Sequence, residues 1–541
     1  MFLLSIFFLW ILGWIIFALA LLIRRRLVRK HWAKYHKMSC SPLLLSIFHP
    51  YCTSGGGGER VLWTGVNVLL QHRPHLLIFI YTNDSDCLTA PSFVFQHVRN
   101  TFDIVVKDET RIHFVPLRSE PLLRPVFYPF LTLAGQAIGS LIAGFEALVR
   151  LPSDVYLDTT GFAFTLPLFS WLLGATCGAY VHFPTVSLDM QRRVAARTSD
   201  GATNYNNAAR IRRSRVLTIL KQLYYMLFRL AYGWAGSAVN CRFVAVNSTW
   251  TRVRIASLFG TQPYLLYPPC PRRLEERVGE EKRKPWIISI GQFRPEKNHV
   301  LQLKAFEIFL KRIPGDKNPY RLILIGGCRH TGDYKRVQRL QEVAKQMGFS
   351  DRQVVFEVNP PASIVNHYLT EATVNLHTMV DEHFGIGIVE GMAAGLVTVA
   401  HRSGGPLMDI IGPALAQPGV DPSTVKPTPV GYLAARAEEY AEVFRYVLVE
   451  ATPNQLEPLR AAAKQRAQNL FSEEVFCKGW LNFVNKLGVS CIKLALGVLT
   501  TASKKSSLRR FAQLCWSPQV IASMFTLPLT QFPYKTKVNI Q

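Results

Sequence analysis

Two glutamates with seven residues between them, Glu382 and Glu390, bracket the stretch Glu382-His383-Phe384-Gly385-Ile386-Gly387-Ile388-Val389-Glu390, which runs on into the small residues Gly391 to Gly395. Ionised carboxylates only accept hydrogen bonds, so such a pair suits a ligand rich in hydroxyl donors, such as a sugar or a ribose. A helix beginning near Gly385 would offer the N–H groups of Gly385, Ile386 and Gly387 to a diphosphate. Glu390 would then lie about one turn into that helix and reach a different part of the ligand from Glu382. The two carboxylates taken alone are also compatible with the solvated face of an ordinary helix.

Three other segments could add chemistry. Gly291-Gln292-Phe293-Arg294-Pro295-Glu296-Lys297 follows an apolar run, and Arg294 (a planar fork) with Lys297 (a compact charge) is a pairing suited to a departing diphosphate. The glycines Gly55, Gly56, Gly57 and Gly58 lie between an expected strand and an expected helix, where backbone can approach a phosphate closely. The run lacks the Gly-Lys-Ser/Thr of a P-loop, which excludes that class of ATPase, and its spacing is wrong for a dinucleotide fingerprint. A glycine run is also an ordinary mobile loop. His182, in Tyr180-Val181-His182-Phe183-Pro184, is either a satisfied core histidine or a ligand contact. Asp84-Ser85-Asp86 has the spacing of a manganese motif but sits in a polar turn where such residues are locally favoured, so no metal ligands are assigned.

The elements that must position these residues are short apolar strands alternating with helical stretches. Expected strands at Leu43–Phe48, Leu76–Tyr81, Phe114–Pro116, Val155–Leu157, Ala179–Val181 and Phe243–Val246 form one series, and those at Trp286–Ile290, Leu322–Ile325, Val354–Phe356 and Leu396–Val399 a second. This alternation predicts an α/β chain with two Rossmann-like domains, residues 39–270 and 271–486, and an active site in the cleft at the carboxyl ends of the strands. The apolar stretches Pro125–Val149 and Val216–Val239 fit either buried helices or helices lying in a bilayer interface.

The charge balance of +26 and the 49% hydrophobic content exclude a disordered chain. The excess is concentrated: seven Lys/Arg without an acid in Arg24–Lys37, nine against Asp200 in Gln191–Leu230, and seven without an acid from Leu487 onward. All three adjoin apolar sequence, which points to a membrane rather than nucleic acid. Residues 1–23 carry no charge and would span a bilayer as a helix. The basic linker 24–38 then places the N-terminus in the lumen and the remainder in the cytosol. The rival is a cleaved signal ending at Ala18-Leu19-Ala20, but a signal carries its charge before its apolar core. The ten scattered cysteines form no Cys-x-x-Cys pair and read as reduced thiols. With a cytosolic body, the sequons at Asn83 and Asn247 would stay unglycosylated.

With these residues in view, the chain resembles the retaining glycosyltransferases of family 4, which have the GT-B fold. More narrowly, it resembles the α-1,2-mannosyltransferases of asparagine-linked glycosylation that act on dolichol-linked oligosaccharide. The narrower likeness rests on Phe48–Trp63, Tyr180–Met190, Val246–Thr251, Tyr267–Cys270 and Gly291–His299. It implies GDP-mannose as donor, a dolichol-diphosphate oligosaccharide as acceptor, addition of the fourth and fifth mannoses at the endoplasmic reticulum membrane, and no cofactor or metal. It allows association with other dolichol-pathway mannosyltransferases. It further implies that Glu382 contacts the donor sugar and Glu390 the ribose, that Lys297 with Arg294 stabilises the departing diphosphate, and that His182 lies beside the sugar with Gly56–Gly58 near the phosphates. One departure is Gln292, where the broader family commonly has arginine. The alternatives are a relative with another donor or acceptor, such as a phosphatidylinositol N-acetylglucosaminyltransferase, and an inactive scaffold. The tail 487–541 does not resemble the family and is read as a membrane-binding extension or a gene-model or splicing artefact.

Overall fold

The computed structural model describes residues 2–186, 190, 191, 194, 211, 213–270, 283–315, 317 and 319–489; most of the tail, and much of the basic stretch after Gln191, lie outside these. Two all-parallel sheets form the frame. The first contains β1 (Leu43–Phe48), β2 (Leu76–Thr82), β3 (Ile112–Pro116), β4 (Val155–Asp158), β5 (Thr176–Val181), β6 (Phe243–Val246) and β7 (Tyr264–Leu265), in the order β3-β2-β1-β4-β5-β6-β7. The second contains β8 (Lys284–Ile290), β9 (Arg321–Gly326), β10 (Val354–Val358), β11 (Ala372–Leu376), β12 (Val397–His401) and β13 (Tyr432–Ala434), in the order β10-β9-β8-β11-β12-β13. Every residue of β1, β2, β11 and β12 is buried, as expected where helices cover both faces of a parallel sheet. The strand order reverses between β1 and β4 and between β8 and β11, and ligands of such sheets bind beyond these switch points.

The second domain does not keep all of its expected span. The Glu473–Val484 helix and the residues to Leu487 pack on the first domain, so the continuous assignment of 271–486 gives way to a chain that crosses back. Trp480 is fully buried, 5.9 Å from the Tyr180 ring, and Leu487 lies against Gly178. A methyl group on Gly65, in the Gly57–His72 helix, would stand 2.6 Å from the Trp480 indole.

The division expected at Arg24 is likewise not a structural break. One helix runs from Phe2 to Tyr35, and its second half docks on the first domain. Arg29 pairs with Asp154, which also accepts the Leu44 N–H at 3.0 Å. Arg25 donates to the Leu173 carbonyl at 3.3 Å, and Trp32 lies 4.0 Å from the His113 ring. Part of the basic charge of residues 24–38 is therefore committed to the fold.

The two ambiguous apolar stretches form helices, each buried along one side only. Thr132–Arg150 buries Gly139, Ala143, Gly144 and Ala147 and exposes Ile138, Leu141, Ile142 and Phe145. Among residues 12–489 with described side chains it is the one helix long and apolar enough to cross a membrane, with a third of its apolar window buried; the expected span 1–23 lies partly outside these residues. Glu146, the charge that interrupts it, accepts the Arg118 and Ser119 N–H groups at 3.0 and 2.8 Å. The Arg215–Gly236 helix buries Tyr225, Phe228 and Tyr232 and exposes Ile219, Leu220, Leu223, Leu227 and Leu230.

The crossing helix supplies a test of the packing. Glycine in a helix interior costs about 1 kcal/mol relative to alanine, so Gly65→Ala should stabilise if the site were open. Contact with Trp480 reverses the sign: overpacking should destabilise by about 1–3 kcal/mol, read as a lower midpoint in chemical denaturation.

Candidate active site

The catalytic candidates gather beyond the carboxyl ends of β8 and β11, neighbouring strands at the switch point of the second sheet. After β8 the chain makes a short 3-10 turn, Pro295–Lys297, followed by Asn298 in the left-handed region at φ 51° and the His299–Arg312 helix. Lys297 at the end of this turn reaches the loop after β11. Its Nζ lies 2.5 Å from Glu382 Oε2, and the same oxygen lies 2.8 Å from His377 Nε2. A carboxylate cannot donate, so His377 Nε2 carries the proton and donates it.

The side chains beneath this cluster fix its geometry. Thr378 Oγ1 donates to the Lys297 carbonyl at 2.7 Å, and Gln302 Nε2 donates to Thr378 Oγ1 and Ser289 Oγ at 2.8 and 2.9 Å. The Tyr440 hydroxyl donates to the His377 carbonyl at 3.1 Å. Glu382 is 7% exposed. Burial pushes its carboxyl pKa up, but the Lys297 ammonium and the His377 hydrogen bond outweigh that and hold it well below the usual range. Burial keeps His377 neutral by lowering its pKa.

The backbone around Glu382 is equally constrained. Its carbonyl accepts the Gly405 N–H at 2.7 Å, and a Cβ on Gly404 would lie 2.2 Å from the same oxygen. Gly385, at φ 103°, opens the Ile386–Ala393 helix that carries Glu390. Close approach to the sheet sets that helix in place: a Cβ on Gly391 would collide with the Asn375 amide at 2.1 Å, and one on Gly387 would stand 3.0 Å from the Ile290 carbonyl. Glu390 is partly exposed and makes no side-chain hydrogen bond or ion pair among the described residues. The same holds for the Arg294 guanidinium.

The first domain supplies the facing wall. The glycine loop touches the start of the Ile386 helix, since a Cβ on Gly57 would lie 2.7 Å from Ile386 Cδ1. Glu59 accepts the Gly56 N–H at 2.6 Å, so this amide is already committed within the loop. Burial raises the Glu59 pKa, but His49 and Arg329 outweigh it and bring it down to about 2. His182 Nε2 donates to the Thr159 carbonyl at 3.1 Å and lies beside Gly58. Burial and the neighbouring His49 lower the His182 pKa to about 4, which keeps it neutral at physiological pH. Asn247 is 5% exposed and donates its side-chain amide to the His182 carbonyl at 2.8 Å, so in the folded protein this sequon is a structural residue.

The structure thus brings Glu382, Lys297 and the Gly385–Gly387 turn into one wall, and Gly57, Gly58 and His182 into the other. Sequence reasoning missed His377 and Arg329. His377 stands five positions before Glu382 with no motif around it. A Cβ on Gly56 would lie 2.9 Å from Arg329 Nη2, a contact between domains that no local pattern announces. Asp84 is engaged elsewhere: its Oδ2 accepts the Thr53 N–H and hydroxyl at 3.2 and 2.8 Å, and its donors lie within 4.8 Å of those of Cys52 and Cys87.

Residues 42–259 match the family described as ALG11 mannosyltransferase N-terminus, and residues 272–428 match Glycosyl transferases group 1. The human GDP-Man:Man(3)GlcNAc(2)-PP-Dol alpha-1,2-mannosyltransferase is 38% identical over 480 residues, covering 87% of this chain and 92% of that protein. The Xenopus tropicalis protein of the same name is 40% identical over 439 residues, covering 80% and 85%. The chain belongs to this α-1,2-mannosyltransferase family. Its fold is also that of solved glycosyltransferases. Sucrose-phosphate synthase from Thermosynechococcus elongatus superposes with a TM-score of 0.56 at 14% identity, covering 83% of this chain and 100% of that one. A trehalose-phosphate synthase from Burkholderia xenovorans gives 0.55 at 11% identity, covering 82% and 100%. These two establish the GT-B architecture, and the mannosyltransferase relatives establish the family.

The buried ion pair should be measurable in the free protein. Removing one partner leaves an uncompensated charge, so Lys297→Met and Glu382→Gln should each lower stability, while the double variant loses less than their sum. We expect a coupling of about 1–3 kcal/mol from the double-mutant cycle. Because the Glu382 pKa is depressed on folding, its contribution is present above the unfolded carboxyl value of about 4.3 and is lost as pH falls through the folded value. Glu382→Gln should therefore flatten the acid limb of the stability–pH curve.

Proposed function

We propose that the chain transfers mannose from GDP-mannose in α-1,2 linkage to the dolichol-diphosphate trimannosyl-chitobiose, adding the fourth and fifth mannoses on the cytosolic face of the endoplasmic reticulum. The observation that carries this is the Lys297–Glu382–His377 cluster, with Glu382 and His377 buried, beside a glycine-led helix start in a chain of this family. Glu382, kept ionised, accepts hydrogen bonds from donor-sugar hydroxyls. Glu390 accepts from the ribose, and the Gly385–Gly387 amides take up the diphosphate. As the bond from the mannose C1 to the phosphate oxygen breaks, Lys297 and Arg294 neutralise the charge on departing GDP, an electrostatic role that calls on no metal. The acceptor hydroxyl attacks from the face the phosphate leaves, and its proton passes to the phosphate, so the anomeric configuration is retained. His182, neutral and fixed by Thr159, lines the sugar pocket.

The exposed apolar faces support a membrane-bound acceptor. Thr132–Arg150 and Arg215–Gly236 each leave apolar side chains exposed along one side, as a helix resting in a bilayer interface would, and the Phe17 ring stacks 5.6 Å from Phe145. The Phe2–Tyr35 helix would anchor the enzyme, with these faces resting in the interface.

Purified protein incubated with GDP-mannose and the dolichol-linked trimannosyl acceptor should yield a product cleaved only by an α-1,2-mannosidase. Transfer from UDP-N-acetylglucosamine alone would overturn the reading. Lys297→Ala should lower kcat by about 10²–10³-fold, the scale for loss of one preorganised stabilising group, with acceptor KM little changed. For the membrane surface, Leu220→Glu with Leu227→Glu should weaken flotation with anionic vesicles while leaving GDP binding intact.

A further inference from the structure

Two first-domain motifs, Val246–Thr251 and Tyr267–Cys270, contribute no atom to the cluster around Glu382, yet both touch the residues that follow it. The His383 ring contacts two aromatic rings of the first domain: Phe183, stacked at 5.6 Å with 23° between planes, and Trp250, at 5.1 Å and tilted by 45°. The Arg254 guanidinium covers the Trp250 ring at 3.7 Å, so four planar groups from two domains form one cluster. The next residue, Phe384, stacks on Tyr267 at 5.6 Å.

A polar contact reinforces the same junction. Asp409 accepts the Thr249 N–H at 3.0 Å and the Tyr267 hydroxyl at 2.9 Å, and Arg466 holds the Asp409 carbonyl at 2.7 Å. The segment bearing Asp409 also bears Gly405, whose N–H binds the Glu382 carbonyl. The backbone on either side of the Glu382 carboxylate is thus tied to the first domain through rings and through one carboxylate. Aromatic pairs at these separations are attractive and orientation-dependent, and a carboxylate contacting the donor sugar needs placement within a fraction of an ångström.

From this arrangement we infer that His383 is a positioning residue, whose contacts with Phe183 and Trp250 align Glu382 for transfer when the two domains are together. The inference rests on the mannosyl-transfer reading above and adds a coupling between the domains to it. GDP is held by other groups, so the signature is a loss in kcat without a loss in donor affinity.

The test uses the full-length protein in detergent or vesicles. His383→Ala should lower kcat by about tenfold with the GDP-mannose KM within about twofold, the pattern of an interaction made in the transition state. His383→Phe, which keeps a ring against Phe183 and Trp250, should recover most of the lost rate. Trp250→Leu should reproduce the Ala phenotype, and the double variant should be no worse than either single. Hydrogen exchange of residues 381–385 should rise in His383→Ala and Trp250→Leu but not in His383→Phe, a readout that needs no turnover. Unchanged kcat in His383→Ala, equal impairment in His383→Phe, or unchanged exchange would overturn the inference. If wild-type protein transfers no mannose, the function reading fails separately, and the exchange pattern still decides the role of His383.

Discussion

A carboxylate buried away from water must be compensated on site or give up its charge. The second domain is arranged around that constraint at Glu382. Its two compensating groups come from the ends of adjacent strands, Lys297 after β8 and His377 at the end of β11. A sheet that pairs these strands brings the groups together without a long excursion of chain. Buried Gln302, Thr378 and Ser289 lock the backbone of the Lys297 turn. The result is an ionised carboxylate held with free acceptor capacity beside an ammonium.

That arrangement also explains the glycine pattern. Gly404 and Gly405 let a second loop close against the Glu382 backbone, and Gly387 and Gly391 let the Ile386–Ala393 helix approach the sheet. Gly57 lets the first domain reach that helix. These positions are constrained by contact rather than by flexibility, which is why the Gly56 amide is found holding Glu59 instead of standing open to solvent.

The two domains are not independent bodies joined by one linker. The return of Trp480 and Leu487 to the first domain, the Asp409 contact with Thr249, and the aromatic contacts of His383 give at least three separate connections. The first domain bears the exposed apolar helices, so these faces and the Glu382 cluster belong to one connected unit. The basic excess divides accordingly. Arg25 and Arg29 serve internal contacts, and Lys297 pairs with the site glutamate.

Much of this was legible in the chain itself. Ten strands follow from short apolar runs, because burial on both faces demands them. Glu382, Glu390, Lys297 and Gly385 stand out because chemistry and helix starts need those residue types at that spacing. Three strands were not visible: β7 and β13 are two and three residues long, too short to show a period, and β11 runs straight on from a helix. Nor could the sequence reveal His377, which no motif marks, or Arg329 and the aromatic contacts of His383, whose partners lie far away in the chain and meet only through domain contact. It left the helices near 132–150 and 215–236 open between buried and exposed, because composition reports how apolar a helix is and not what covers it. Residue types and spacing determined the chemistry available to this protein. Packing decided which side chains hold charge, which domains constrain Glu382, and which apolar faces remain uncovered.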